Sequence, residues 1–485
     1  MRKPVKLNRI VSILSIAGLA SALAIAEAPH ANAEEDRAPS APTASSLRDE
    51  LALSEVLSSA RSSLPALLAA QADVDQAQAE LLTADGGFDP TWRTNAHFTP
   101  VSGYPSWQFN TVVEQPTPLW GASLFAGYRL GLGDYAEYDG KLATNDYGEV
   151  RGGVRVPILR DGPIDRRRAN VERAELGVEV AELSREQQLL EVARVAGLRY
   201  WDWVAAGERK AWVNAWLEVA ELRDAQLRRR SAEGDLPDIE ITENARSLFQ
   251  RRAQAIAAQR ALEQAAIELS IFNRSSAGPR IPSSAELPTA VPTPLPMTSS
   301  AGALGDALSS RPELKRVAAL RSQAEVELEL AINQSWPALD VYAATSVDLG
   351  PGDEKRAKPV FEFGVTLEVP LAFRKERGRI DAQRAALRKL DQQTATQVDR
   401  VTAEVRDAES ALARALERYA LVEQEVALAL ELEQAEKKRF DLGDGTLLFV
   451  NLREQATIEA RLRFVDAKLD YQRALLLYRY ALGEL

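Results

Sequence analysis

The chain has 485 residues, a formal charge of −11, 46% hydrophobic and 27% charged residues, a balance that fits neither a disordered chain nor a helical membrane protein. Acidity of this size excludes nucleic acid as a natural partner. The complete lack of cysteine removes disulfides, thiolate metal sites and thiol catalysis, and two histidines, His30 and His97, leave almost no imidazole chemistry.

The N-terminus reads as an export signal over 1–33. Arg2, Lys3, Lys6 and Arg9 precede the apolar run 10–26, and Ala31-Asn32-Ala33 has the small-residue form of a cleavage site. Cleavage there removes four basic residues and Glu27, taking the charge from −11 to −14. No later segment has the ~18 uninterrupted apolar residues of a spanning helix. An exported chain of this kind is either soluble or spans as a β-barrel. Residues 34–49 look disordered.

The rest divides into two copies of one unit, 50–277 and 301–485, joined by a linker over 278–300 rich in Pro and Ser. Leu64-Pro65-Ala66-Leu67 and Arg311-Pro312-Glu313-Leu314 open helical patterns that each end at a second proline 25 residues on, Pro90 and Pro337. Val156-Pro157-Ile158-Leu159 and Val369-Pro370-Leu371 follow, then Gly234-Asp235 and Gly443-Asp444. Beyond these, Glu243-Asn244-Ala245 aligns on Glu454-Gln455-Ala456.

Each unit predicts helix, strands, long helix, glycine turn, helix. The spans are 51–85, 164–233 and 239–272, then 304–335, 376–441 and 447–482. The shorter helices of a unit together match its long one, 69 residues against 70 and 68 against 66. End to end beside a long helix, they would make a rod on the order of 100 Å. Val398, Val401, Val405, Ala408, Leu412, Ala415, Tyr419, Val422, Val426 and Ala429 form a coiled-coil stripe. Leu416, Leu421 and Leu428 lie off it and suggest a second contact face.

Between helices the period changes to two. Phe361, Phe363, Val365, Leu367 and Val369 alternate with Glu362, Gly364, Thr366 and Glu368, and the same pattern holds at 92–98, 150–156 and 339–348. Such segments suit transmembrane β-strands or a half-buried soluble sheet. Four strands cannot close a pore, whereas three copies supply twelve. The first unit carries 34 more residues between its landmark prolines, with alternation near Trp107–Val113 and Ala122–Leu130 and a Gly/Tyr/Asp-rich tip at 131–147. We read these as an added hairpin near the outer surface. Joined to the wall instead, they would raise the count to six strands.

The landmark pairs, with Lys438-Arg439-Phe440-Asp441-Leu442-Gly443 before the second turn, make the chain resemble the TolC-type outer-membrane efflux family over nearly all its mature length. The resemblance implies a mostly α fold with a membrane β-barrel portion. It implies a homotrimer whose barrel sits in outer-membrane lipid and whose long helices form a periplasmic tunnel. It also implies a periplasmic adaptor and an inner-membrane pump as partners. In that family the turns between long and short helices close the tunnel; here these are 231–238 and 441–449. The family's gating aspartates fall on Phe449 and Leu452, so the expected gate is mixed, with Asp235, Asp238, Asp441 and Asp444 beside Phe449. The implied function is an exit duct of a tripartite efflux system. A duct for type I protein secretion or metal efflux, and a periplasmic coiled-coil scaffold without a pore, are the alternatives. No nucleophile–base pair, phosphate loop or metal cluster points to an enzyme, and no cofactor is expected. Trp201, Trp203, Trp212 and Trp216 are expected to pack the middle of the first long helix. Arg166–Arg168 are expected at the membrane rim or as a solvated helix start.

Overall fold

A computed structural model describes residues 50–485 apart from 102, 233–237, 289–290 and 295–301, so the export signal and the segment 34–49 lie outside the described residues. The helices are α1 (Leu53–Ser63), α2 (Pro65–Asp85), α3 (Arg166–Ala232), α4 (Asp238–Ser270), α5 (Ala303–Ser310), α6 (Pro312–Asn333), α7 (Arg374–Asp441) and α8 (Leu447–Leu482). The strands are β1 (Thr91–Thr99), β2 (Ser106–Pro116), β3 (Ser123–Gly133), β4 (Glu149–Pro157), the short pair β5 (Arg274–Ser275) and β6 (Gly278–Pro279), then β7 (Ala338–Asp348) and β8 (Val360–Glu368). No described helix is long and apolar enough to cross a membrane.

α3 and α7 have 67 and 68 residues, about 100 Å each at 1.5 Å per residue. The shorter helices expected at 51–85 and 304–335 are each broken in two, at Pro65 and Pro312. Proline lacks the N–H an interior turn needs, but it fits the first turn of a new helix. The end of α4 and the start of α1 meet against the middle of α3, where Val56, Tyr200, Trp203, Leu262 and Leu269 are buried together. Likewise the end of α8 and α5 meet against the middle of α7, around Ala307, Val405, Leu412, Tyr471 and Tyr478. The stripe read from the sequence is buried from Val401 to Tyr419.

Arg311 explains the Arg-Pro-Glu-Leu motif. Its buried guanidinium donates to Glu313 at 2.6 Å, to Glu404 at 2.9 Å and to the Tyr480 carbonyl at 2.9 Å, and it lies over the Tyr480 ring. One side chain thereby ties the α5–α6 break to α7 and to the end of α8. Described residues of the linker lie against the same middle zone. There Glu286 accepts the Leu51 N–H at 2.9 Å and Leu287 fills the space over Gly207.

The six long strands form one antiparallel sheet in the order β1-β2-β3-β4-β7-β8. This corrects the reading of Trp107–Val113 and Ala122–Leu130 as an added hairpin near the outer surface in favour of the six-strand alternative, because β2 pairs along all of β1 and β3 pairs with β4. The hairpin turn is wedged at the sheet–helix junction. A side chain at Gly121 (φ +65) would strike the Asp161 carbonyl, and Gln115 donates to the Phe88 carbonyl at 2.7 Å.

Candidate functional site

The sheet's two faces differ as the alternation requires. Cross-strand partners Phe98↔Trp107, Val150↔Val347, Ala343↔Phe363 and Val341↔Val365 share one face. Several of its large apolar side chains are exposed, Trp92 at 78% and Phe363 at 77%. Apolar area of that extent is costly in water and suits lipid. The opposite face is concave and encloses about 460 Å³ lined by Arg93, Asn110, Arg129, Glu149, Arg151 and Glu362. Arg129 pairs with Glu149 at 2.6 Å, Arg151 donates to Asn110 at 2.9 Å, and the Tyr342 hydroxyl donates to Glu362 at 2.9 Å. Gly153 sits beneath Phe125 and Gly364 beneath Tyr342, so the rings lie flat on the wall.

Beyond the sheet the helices stand side by side. Next to the strands the neighbours are α2 with α3, α3 with α6, and α6 with α7. In the other half they are α4 with α3, α3 with α8, and α8 with α7. Asp165 caps α3 at the junction, accepting the N–H groups of Arg167 and Arg168 at 2.8 and 3.0 Å. Arg168 also donates to the carbonyls of Asp161, Gly162 and Pro163, so it holds the turn, while Arg166 and Arg167 are exposed.

At the far end α7 stops at Asp441 and α8 starts at Leu447. Gly443 (φ +84) donates to the Phe440 carbonyl at 3.0 Å and Asp444 to that of Arg439 at 3.0 Å, closing the helix with the left-handed residue glycine best supplies. The first turns of α4 and α8 come together. Ile239, Glu240 and Glu243 face Thr446, Leu447 and Leu448 across a cleft of about 310 Å³. Phe449 is 54% exposed, with Leu448 and Leu452 similarly placed. Asp441 and Asp444 are exposed on the same turn. Asp238 is the first residue of α4, and Asp235 lies outside the described residues.

A buried ionic cluster escaped the sequence reading. Glu454 on α8 is 2% exposed and accepts from Arg223 of α3 at 2.8 Å and from Arg251 of α4 at 2.9 Å, with Lys437 of α7 at 3.1 Å. Arg251, 1% exposed, also donates to the Trp216 carbonyl at 3.0 Å and lies over that ring. Burial pushes the Glu454 carboxyl up, but the hydrogen bonds and charges of Arg223 and Arg251 outweigh it and hold the group at about 2. One carboxylate thus fastens four helices. Its repeat-equivalent, Glu243, pairs with Arg246 on its own helix. Trp203 fills the core as expected, whereas Trp212 and Trp216 carry Arg461 and Arg251 on their faces.

The outer membrane efflux protein family matches residues 303–484. No curated protein matches the sequence. Among solved structures, a membrane protein from Pseudomonas aeruginosa has the same fold at a TM-score of 0.63 and 16% identity, covering 93% of this chain and 99% of that one. The CmeC outer membrane channel of Campylobacter jejuni gives 0.62 at 14% identity over 94% of both chains. The open state of the MtrE outer membrane channel of Neisseria gonorrhoeae gives 0.61 at 15% identity over 93% and 97%.

Proposed function

We propose, for a chain that belongs to the outer membrane efflux protein family by the match over its second half and by its fold, that three copies form the exit duct of a tripartite efflux system. It sits in the outer membrane, with its helices in the periplasm. The carrying observation is the continuity of a sheet having one lipid-suited and one polar face with helices about 100 Å long. The row of helices supports assembly with further copies, because α4 and α7 end it and both expose apolar side chains. These are Ile239, Phe249 and Ile256 on one, Leu421, Leu428 and Leu432 on the other. Duplication of one ancestral unit, 50–277 and 301–485 around the linker 278–300, accounts for the paired landmarks.

The duct does no chemistry of its own. An inner-membrane pump supplies the energy, and a periplasmic adaptor docks at the turn end. There the gate is mixed, apolar from Phe449 and acidic from Asp235, Asp238, Asp441 and Asp444. Cell fractionation tests the reading: the protein is expected in the outer membrane as a heat-modifiable oligomer, and its deletion sensitises cells to exported compounds. A soluble periplasmic product would overturn it. Phe449→Ala and Asp238→Ala trimers are expected to change single-channel conductance and cation block; unchanged values would remove these residues from the gate.

A further inference from the structure

β1 and β8 are the open edges of the six-stranded sheet. Each has nine residues, and nearly all of them are exposed. An edge strand presents unpaired N–H and C=O groups, which lipid cannot satisfy. β1 leaves the helices and β8 returns to them, so placed side by side they run antiparallel. Their outward faces continue one another, Trp92 and Phe98 beside Phe361, Phe363 and Val365. Their inward faces are complementary in charge, Arg93 on β1 against Glu362 and Glu368 on β8. Glu368 is mostly exposed, with only a 3.6 Å contact to Arg160, and keeps capacity for another cation.

We propose that β8 of one copy pairs with β1 of the next, so that three copies close an eighteen-stranded wall in which the β2–β3 hairpin is lipid-facing. This rests on the channel reading above. Girth supports it independently. Eighteen strands about 4.8 Å apart and tilted about 40° enclose a perimeter of roughly 110 Å, whereas twelve enclose roughly 75 Å. Four helices side by side in each copy make a ring of twelve, and at 8–10 Å spacing that ring measures roughly 95–120 Å. The larger wall matches the ring of helices in girth at this tilt. Barrels of this strand number keep an aqueous lumen. The polar face therefore lines a pore that passes hydrated solutes as wide as the tunnel delivers, and any size limit falls at the turn end.

The chain has no cysteine, so introduced thiols report only themselves. The test uses full-length protein in liposomes, with dye-labelled single cysteines and nitroxide-bearing lipid as quencher. Phe109→Cys, Val113→Cys, Ala126→Cys and Leu130→Cys are expected to be quenched like Val341→Cys and Phe363→Cys, whereas Asn110→Cys and Arg129→Cys react with a water-soluble thiol reagent. Thr366→Cys combined in turn with Arg93→Cys, Asn95→Cys or His97→Cys is expected, in one register, to oxidise to covalent dimers and trimers. If β2 and β3 are water-accessible on both faces while Val341→Cys and Phe363→Cys stay quenched, the hairpin lies outside a narrower wall and the proposal falls alone. Quenching without any intermolecular crosslink overturns the edge pairing. If Val341→Cys and Phe363→Cys are not quenched either, the channel reading falls with it.

Discussion

Replacing Glu454 by glutamine leaves its shape and removes its charge. Arg251, 1% exposed, would then be a buried cation without its hydrogen-bonded carboxylate, left with the field of the farther Glu433, while Arg223 and Lys437 retain some access to water. Breaking a buried pair from one side costs about 3–5 kcal/mol, most of it from the stranded charge. The cost falls on the packing of α3, α4, α7 and α8 in the turn-end half, so local opening there becomes easier. Each ~1.4 kcal/mol is tenfold in an equilibrium, so amides at about 247–256 and 450–459 should exchange with deuterium on the order of 100-fold faster or more. Amides around Tyr200 and Tyr478 should not change. The double variant Arg251→Met/Glu454→Leu should recover part of the loss, since removing both charges strands neither. A Glu454→Gln protein whose local exchange changes less than about threefold would refute the role of this cluster.

The same carboxyl fixes a pH window. Its folded value of about 2 lies below the ordinary 4.5, so its contribution is present above about pH 4.5 and lost as pH falls toward 2. Turn-end protection, corrected for intrinsic exchange, should thus be equal at pH 7 and pH 5 and collapse only in stronger acid. Leu412→Ala should destabilise the buried α7 stripe by about 2–5 kcal/mol in thermal unfolding. Leu421→Ala, at a residue 68% exposed in the protomer, should leave protomer folding unchanged and lower the oligomer fraction on unheated gels. Gly153→Val places atoms where the Ala343 carbonyl and the Phe125 ring stand, so the β4–β7 register should fail and the heat-modifiable species be lost. Arg311→Lys keeps a charge but cannot hold two carboxylates and the Tyr480 carbonyl together, so limited proteolysis near the end of α8 should accelerate.

What the sequence made legible was local. The α7 stripe recurs every three or four residues, and its burial follows from helix geometry alone. Strand alternation at 107–113 and 122–130 was equally plain, yet alternation states only that a segment has two faces. Whether it joins a wall depends on its partners, and the pairing of β3 with β4 crosses the loop 134–148. The Glu454 cluster was invisible for the same reason. Its partners Arg223 and Arg251 lie more than 200 residues away, and acids on long helices are ordinarily solvated. Even the internal alignment misled, because Glu243 and Glu454 align yet the first is only half-buried and the second is fully buried. At the turn end, the juxtaposition of Ile239 with Leu447 and Leu448 follows from two equal helical pairs ending level, which the matched lengths foreshadow.

Planar-bilayer recording of the purified oligomer tests the central claim most directly. An export duct predicts discrete ion-conducting steps from the heat-modifiable species, abolished when heating separates its subunits. Insertion of correctly folded oligomer with no conductance at any voltage, in a protein recovered from the soluble periplasm, would contradict it.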